Sequence, residues 1–313
     1  MNVMNMVTPP PDLAAISALQ SKLVSALRPV LPEHALLWEP EDTIPYECDG
    51  LAAYRRMPLA VALPETEEQV AQILKICFAM EIPVVPRGSG TGLSGGAMPL
   101  SQGLVLSLAK LKKILSIDPF TRTAVVQPGV RNLAISEAVS HLGLYYAPDP
   151  SSQIACSIGG NVNENSGGVH CLKYGLTLHN VLRVRGVLMN GEIVEFGSLA
   201  PDSPGLDLLA IMMGSEGMLA VVTEVTVKLV AKPKLARVIM ASFDDIEKGG
   251  NAVAAIIAAG IIPAGLEMMD KATTRAVEEF VHAGYDLDAE AILLCESDGT
   301  PEEVAEEIER MTR

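Results

Sequence analysis

The run PRGSGTGLSGG, residues 86–96, constrains this chain more than any other segment. It carries Gly88, Gly90, Gly92, Gly95 and Gly96 directly after the apolar run PVVP. Glycine permits positive φ and removes the Cβ, so the backbone amides of such a loop can converge on an anion. Arg87, Ser89, Thr91 and Ser94 add donors. A plain surface loop needs neither the buried strand that feeds it nor this spacing of small hydroxyl residues. The order is not GxxxxGK[ST], nor a GxGxxG that opens a long amphipathic helix with an acid about 20 positions on, so Walker and Rossmann loops are disfavoured.

With 313 residues, 49% hydrophobic and 19% charged, the chain has material for two domains and a real core. A net charge of −15 argues against nucleic acid or an anionic membrane as the main partner. An anionic ligand then needs a local site of amides or arginines. The cysteines are Cys48, Cys77, Cys156, Cys171 and Cys295. Their number is odd and no CxxC occurs, which favours a reducing compartment over a disulfide framework or a zinc site. MNVMNMVTPPPD lacks the basic and apolar regions of a secretory leader. Residues 252–269 are nearly all apolar, but Gly260 and Pro263 interrupt them. They are expected to form a buried helix, a turn and a buried strand, not a membrane span.

Residues 1–54 read as an N-terminal extension, with one amphipathic helix near 13–27 and then extended, proline-rich chain. LAVALP predicts a buried strand. Thr66 and Gln69 predict a capping box. Val70, Ile73, Leu74, Cys77 and Phe78 recur at helical spacing. PVVP, GLVLSL, ILSI and TAVVQP predict further strands, and a helix over 132–142 should end at Gly143. Asn190-Gly191 predicts a two-residue hairpin turn. A short helix over 206–213 should stop at Gly214, and residues 221–229 alternate like a half-buried strand. Lys232-Pro233-Lys234 marks a boundary between a unit at 55–235 and one at 236–313. The second unit repeats strand and helix, and its last helix opens with Thr300 as N-cap, Pro301 and Glu303. No further element follows, so this unit is expected to be incomplete and the chain a fragment.

Two more segments carry chemistry. APDPSSQIACSIGGNVNENSGGVHCLKYG, residues 147–175, is long, polar and glycine-rich, as functional loops are. Its asparagines and glycines suit tight turns around a large ligand. In GSEGMLAVVTEVTV, residues 214–227, a helix stop explains Gly214 but not Glu216 followed at once by Gly217.

Together the three segments resemble the vanillyl-alcohol oxidase (PCMH-type) family of FAD-binding flavoproteins, over roughly residues 44–296. Within it they are similar to the flavin subunits of bacterial glycolate oxidases, through IPYECDGLAAYR, GTGLSGGA, QPGVRNLAIS, LYYAPDPSSQIACSIGGNV, GGVHCLKYGLT and IIPAGLEMMD. The resemblance implies an α+β fold: a PCMH-type FAD-binding domain of two α+β subdomains, then a partial α/β cap. It implies that Pro86, Arg87, Gly88, Ser89, Gly90, Thr91, Gly92 and Leu93 wrap the FAD pyrophosphate. Pro148, Asp149 and Ser152 would border the flavin. Cys156, Ser157, Gly159, Gly160, Asn161, Gly167 and Gly168 would continue the cradle, with Tyr174 and Gly175 closing it. Glu216, Gly217 and Val222 would lie on the adenosine side. The glycine loop has neither the histidine nor the cysteine of covalent members, so the FAD is expected to be noncovalent.

The implied activity is oxidation of glycolate to glyoxylate, hydride passing from C2 to the flavin. No iron–sulfur ligand set occurs here, so electrons would leave through a partner, and the resemblance implies companion FAD-like and iron–sulfur subunits. The implied location is the cytoplasm, at most peripheral to the inner membrane through partners. Ala220 stands where the family usually has glycine. The HxGDGNxH and GEHGIG segments that supply metal ligands and the base do not occur before Arg313, so no catalytic or metal residue is assigned. Of His34, His141, His170, His179 and His282, only His170 lies in the flavin segment. Rival readings are a D-lactate or other D-2-hydroxyacid dehydrogenase, a noncatalytic flavin module, and a nucleotide-binding domain without flavin.

Overall fold

The computed structural model describes residues 13–200 and 205–313; the leader reading at residues 1–12 lies outside them. The first layer is a sheet in the order Leu36–Leu37, Ala60–Ala62, Leu104–Ser107, Val84–Arg87. The last three strands run parallel and the first pairs antiparallel. Ala60–Ala62 and Leu104–Ser107 are wholly buried, as LAVALP and GLVLSL predict. The helix Glu67–Ala79 buries Val70, Ile73, Leu74 and Cys77 against the sheet. Phe78, expected on that face, is 60% exposed. It lies one position past the last buried turn. The capping box is also altered. Thr66 accepts from the Gln69 amide, but Gln69 Oε1 reaches back to the Glu65 N–H at 2.7 Å. The N-terminal segment joins this core. Leu23 and Leu27 of the helix Leu13–Leu27 are fully buried, and short helical turns interrupt the chain expected to be extended.

The second layer is antiparallel, in the order Ile114–Asp118, Thr123–Val126, Val221–Lys228, Val181–Val187, Ile193–Gly197. Val221–Lys228 was expected to be half-buried, yet Val222 and Thr226 are as buried as Val225 and Val227. Val221 packs into the core of the first layer and Val222, Val225 and Val227 into that of the second, so both faces are covered, which alternation along one strand does not reveal. The hairpin turn also differs. Gly191 N–H donates to Leu188 O, and only Gly191 has positive φ, at 80°. That is a three-residue turn with glycine at its left-handed position, not the two-residue form. The two layers are tied by Arg185, which binds both oxygens of Glu67 at 2.9–3.1 Å, while Thr223 Oγ1 donates to Glu67 at 2.6 Å.

The third sheet has Ala291–Gly299 between Leu235–Phe243 and Gly265–Asp270, all antiparallel. Ile256, Ile261, Leu293 and Cys295 form the core beneath it. Residues 252–269 are not buried as expected. In the helix Ile246–Ala258 only Gly249 and Ile256 are buried, and Gly265–Asp270 is an edge strand. Alanine-rich sequence supplies hydropathy without forcing burial. The capping box at Thr300 forms as expected. Among the described residues, no helix is long and apolar enough to cross a membrane.

Candidate functional site

The three chemistry-bearing segments meet in one cleft at the seam between the first two layers. The strand Val84–Arg87 delivers Pro86, Arg87, Gly88, Ser89, Gly90, Thr91 and Gly92 to one wall. Ser152, Cys156, Ser157, Gly159, Gly160 and Asn161 form the facing wall, and Glu216 and Gly217 close one end.

Each wall has a local reason for its shape. The Arg87 side chain runs under the loop. Its Nη1 donates to the Cys48 carbonyl at 2.6 Å, and the guanidinium lies 5.6 Å from the centre of the Tyr46 ring. Burial lowers its pKa, opposed by Asp49. A side chain at Gly90, where φ is 71°, would strike that guanidinium. The arginine expected to add a donor for the anion is therefore a pillar beneath the loop. The anion-facing donors of this wall are left to the backbone and the small hydroxyls.

On the facing wall, Ser157 is 3% exposed and its hydroxyl has no partner. A Cβ on Gly88 would lie 2.3 Å from that hydroxyl, so Ser157 packs directly against the glycine loop. Asn163 Oδ1 is likewise buried without a partner. Buried polar atoms are normally paired, so orphans in an open cleft mark where a ligand's polar groups belong. Asn161 does other work: its amide donates to Asn132 Oδ1 at 2.8 Å, and Asn132 donates to the Pro148 carbonyl at 2.9 Å. The GSEG turn is stitched in by Glu216 N–H to Asn163 O at 2.9 Å, and Gly217 presses on the Pro86 ring. That contact explains the glycine after Glu216. Beyond Pro86 and Gly217 the cleft continues into an apolar hollow lined by Leu74, Val84, Val187 and Met189. An anion cradle joined to a flat apolar hollow suits a dinucleotide with an aromatic base.

Several candidate residues lie elsewhere. Leu93 is 74% exposed at the loop's tip. Val222 is fully buried in the central strand, with no face toward the cleft. Pro148, Asp149, Gly167, Gly168, Tyr174 and Gly175 are not among the residues lining this cleft; Asp149 meets His170 and packs on Gly168, and Tyr174 meets Asp298 of the C-terminal sheet. Sequence reasoning missed Asp49, Pro128, Glu164 and Ser166, which line the cleft. Asp49 arrives through the turn Asp49-Gly50, where a Gly50 side chain would strike the Thr91 and Gly92 carbonyls. Its carboxylate accepts from the Leu51 and Ala97 amides. Among the described residues, no cluster of three or more metal-ligating side chains is placed to hold an ion.

Three carboxylates face the cleft. A methyl on Gly96 would sit 3.3 Å from Glu164 and 3.7 Å from Glu216. Burial, then Glu216 and Asp49, push the Glu164 pKa up. An anionic ligand meets these charges too. Glu164→Gln should therefore tighten a pyrophosphate ligand by ~5-fold at pH 8, the release of about 1 kcal/mol of screened repulsion. The gain should vanish at acid pH, where Glu164 is protonated. Titration by flavin fluorescence at both pH values checks this, and equal affinities at pH 8 would refute it.

Residues 58–197 match the FAD binding domain family, and residues 232–313 match the FAD linked oxidases' C-terminal domain. The chain belongs to the FAD-linked oxidases with a PCMH-type FAD-binding domain. Glycolate oxidase subunit GlcD of Escherichia coli K12 is 61% identical over 292 residues, 93% of this chain and 58% of that protein. GlcD of Bacillus subtilis 168 is 45% identical over 85% of this chain and 57% of that protein. A D-lactate dehydrogenase of Anaerostipes hadrus is 33% identical over 92% of this chain and 62% of that protein. The chain thus spans less than two thirds of these relatives. Two solved structures share the fold. Alkyldihydroxyacetonephosphate synthase has a TM-score of 0.81 at 19% identity, over 100% of this chain and 61% of the other. p-Cresol methylhydroxylase with substrate bound has a TM-score of 0.77 at 20% identity, over 94% of this chain and 64% of the other.

Proposed function

We propose that this chain holds FAD noncovalently as the flavin-binding part of a glycolate-oxidising enzyme. The observation that carries the reading is the cleft itself. A glycine-rich loop packs against the unpartnered Ser157 hydroxyl, and an apolar hollow continues from one end. Residues 88–92 would hold the pyrophosphate through backbone amides, with Ser157 donating from the opposite wall. Asn163 Oδ1 would accept a hydroxyl or amide of the cofactor. Leu74, Val84, Val187 and Met189 would take the adenine. When bound, FAD supplies the acceptor for the hydride leaving C2 of the substrate. This chain's residues orient that cofactor and exclude water around it.

In this reading residues 55–235 are the FAD-binding unit and 236–313 belong to a substrate unit. GlcD is a glycolate oxidase subunit, which supports companion subunits, an iron–sulfur protein among them, as the route for electrons. Peripheral membrane attachment would come through them.

The test is an absorption spectrum. The purified chain should be yellow with a flavin band. Acid precipitation should leave the flavin in the supernatant, since the glycine loop offers neither histidine nor cysteine for a covalent bond. In the full-length protein, glycolate should bleach that band without oxygen. A colourless chain that takes up no FAD removes the reading. Bleaching by D-lactate but not glycolate moves the substrate to the D-lactate class, to which one relative belongs by name.

A further inference from the structure

The FAD-binding unit and the C-terminal sheet meet at a polar clasp that the proposed function does not use. His170 Nδ1 lies 2.6 Å from Asp149 Oδ2, and Nε2 lies 3.3 Å from Glu296 Oε2. Asp149 belongs to the segment at residues 147–175, and Glu296 to the central strand Ala291–Gly299. Beside them Lys173 Nζ and the Tyr174 hydroxyl each reach the buried Asp298 carboxylate at 2.6 Å. Val169 packs against Gly265 of the edge strand. One short segment, residues 169–174, thus makes every one of these contacts to the sheet.

The chemistry of the pair around His170 is restrictive. A carboxylate only accepts hydrogen bonds. A neutral imidazole has one N–H, so it can satisfy Asp149 or Glu296, and its bare nitrogen then faces the other carboxylate. Only the imidazolium donates to both. The groups facing it are Asp149, Glu296 and the Tyr174 ring at 6.5 Å, with Tyr145 and the Lys173–Asp298 pair behind.

We propose that His170 is a positioning residue, an imidazolium rivet that seats the C-terminal sheet against the segment of the FAD-binding unit around Asp149. The Asp149 hydrogen bond, partly opposed by burial and aided by the charges of Asp149 and Glu296, raises its pKa to about 9. Because the folded pKa is raised, the rivet is fully present below the unfolded value of about 6.5 and is lost as pH rises through about 9. Above that range the Lys173–Tyr174–Asp298 contacts remain, so the sheet should loosen locally and not detach. The effect on turnover rests on the function proposed above; the seating itself does not.

The experiment is hydrogen exchange on the flavin-free full-length protein from pH 7 to pH 10, corrected for intrinsic exchange rates. Peptides covering residues 291–299 should lose about tenfold protection above pH 9, while residues 221–228 stay protected. His170→Asn should expose residues 291–299 at every pH. Glu296→Gln should abolish the pH dependence, because a glutamine amide can donate to the bare nitrogen of neutral imidazole. With FAD bound, the kcat of wild type on glycolate should fall over the same range, and that of Glu296→Gln should not. Flat protection of residues 291–299 in wild type, or loss of residues 221–228 alongside them, overturns the proposal. Absence of FAD binding would instead count against the proposed function and leaves the exchange result standing.

Discussion

Gly88→Ala should leave the protein folded and strip it of flavin. Gly88 does not adopt a positive φ, so alanine fits its backbone. The new methyl would sit 2.3 Å from Ser157 Oγ and 3.8 Å from the Gly160 amide nitrogen. The serine hydroxyl can rotate aside, so the fold should lose only about 1 kcal/mol. The two walls, however, would be pushed apart and the Ser157 hydroxyl turned away from the loop proposed to hold the pyrophosphate. FAD affinity should fall at least ~100-fold, about 3 kcal/mol. Ser157→Ala is the milder companion. It removes one hydrogen bond to a charged group, about 1.5–3 kcal/mol, and leaves the space open. Equilibrium dialysis with FAD reads both variants. Wild-type affinity in Gly88→Ala would sink the assignment of these two walls to the cofactor.

Gly159→Ala should do what Gly88→Ala does not: destroy the fold around the site as well. A Cβ at Gly159 would lie 2.5 Å from Pro128 Cβ and 3.1 Å from the Pro128 carbonyl oxygen. Proline cannot rotate away, and the Gly159 amide already bonds that carbonyl at 2.9 Å. Both backbones would have to separate at a buried crossing. A destabilisation of about 3 kcal/mol or more is expected, at the upper end for single substitutions. The melting temperature should drop and flavin content should fall with it. A Gly159→Ala protein that melts like wild type would show that the crossing is looser than its geometry.

The difference between these glycines marks what a sequence can disclose. The pairing of Thr300 with Glu303 was legible because both partners lie within one helical turn. The strand Ala60–Ala62 and the C-terminal stop at Gly143 were legible for the same local reason. The helix Ile158–Glu164 was not, because Gly159 and Gly160 oppose helix and what holds it comes from distant chain: Pro128, Val130, Asn132 and the turn at 214–216. Burial of Val222 and Thr226 depends on two neighbouring strands from distant parts of the chain and on the core packed over them. Asp49 reached the cleft through a turn whose partner carbonyls, at Thr91 and Gly92, lie far along the chain. The glycine loop itself was visible at once, but that Arg87 turns toward Cys48 and not toward the anion was a fact of packing.

The cleft draws on Asp49, the loop at residues 88–92, the wall at residues 152–161, and Glu216 with Gly217. No contiguous stretch contains a usable part of it. On a ribosome, the site cannot exist until Gly217 has emerged and Val221–Lys228 has slipped between its two neighbours. These are long-range closures, which form slowly and late. Cofactor capture is therefore a checkpoint on maturation: a chain that has gained its colour has already completed both of its first two layers, and the ligand's affinity then holds them shut.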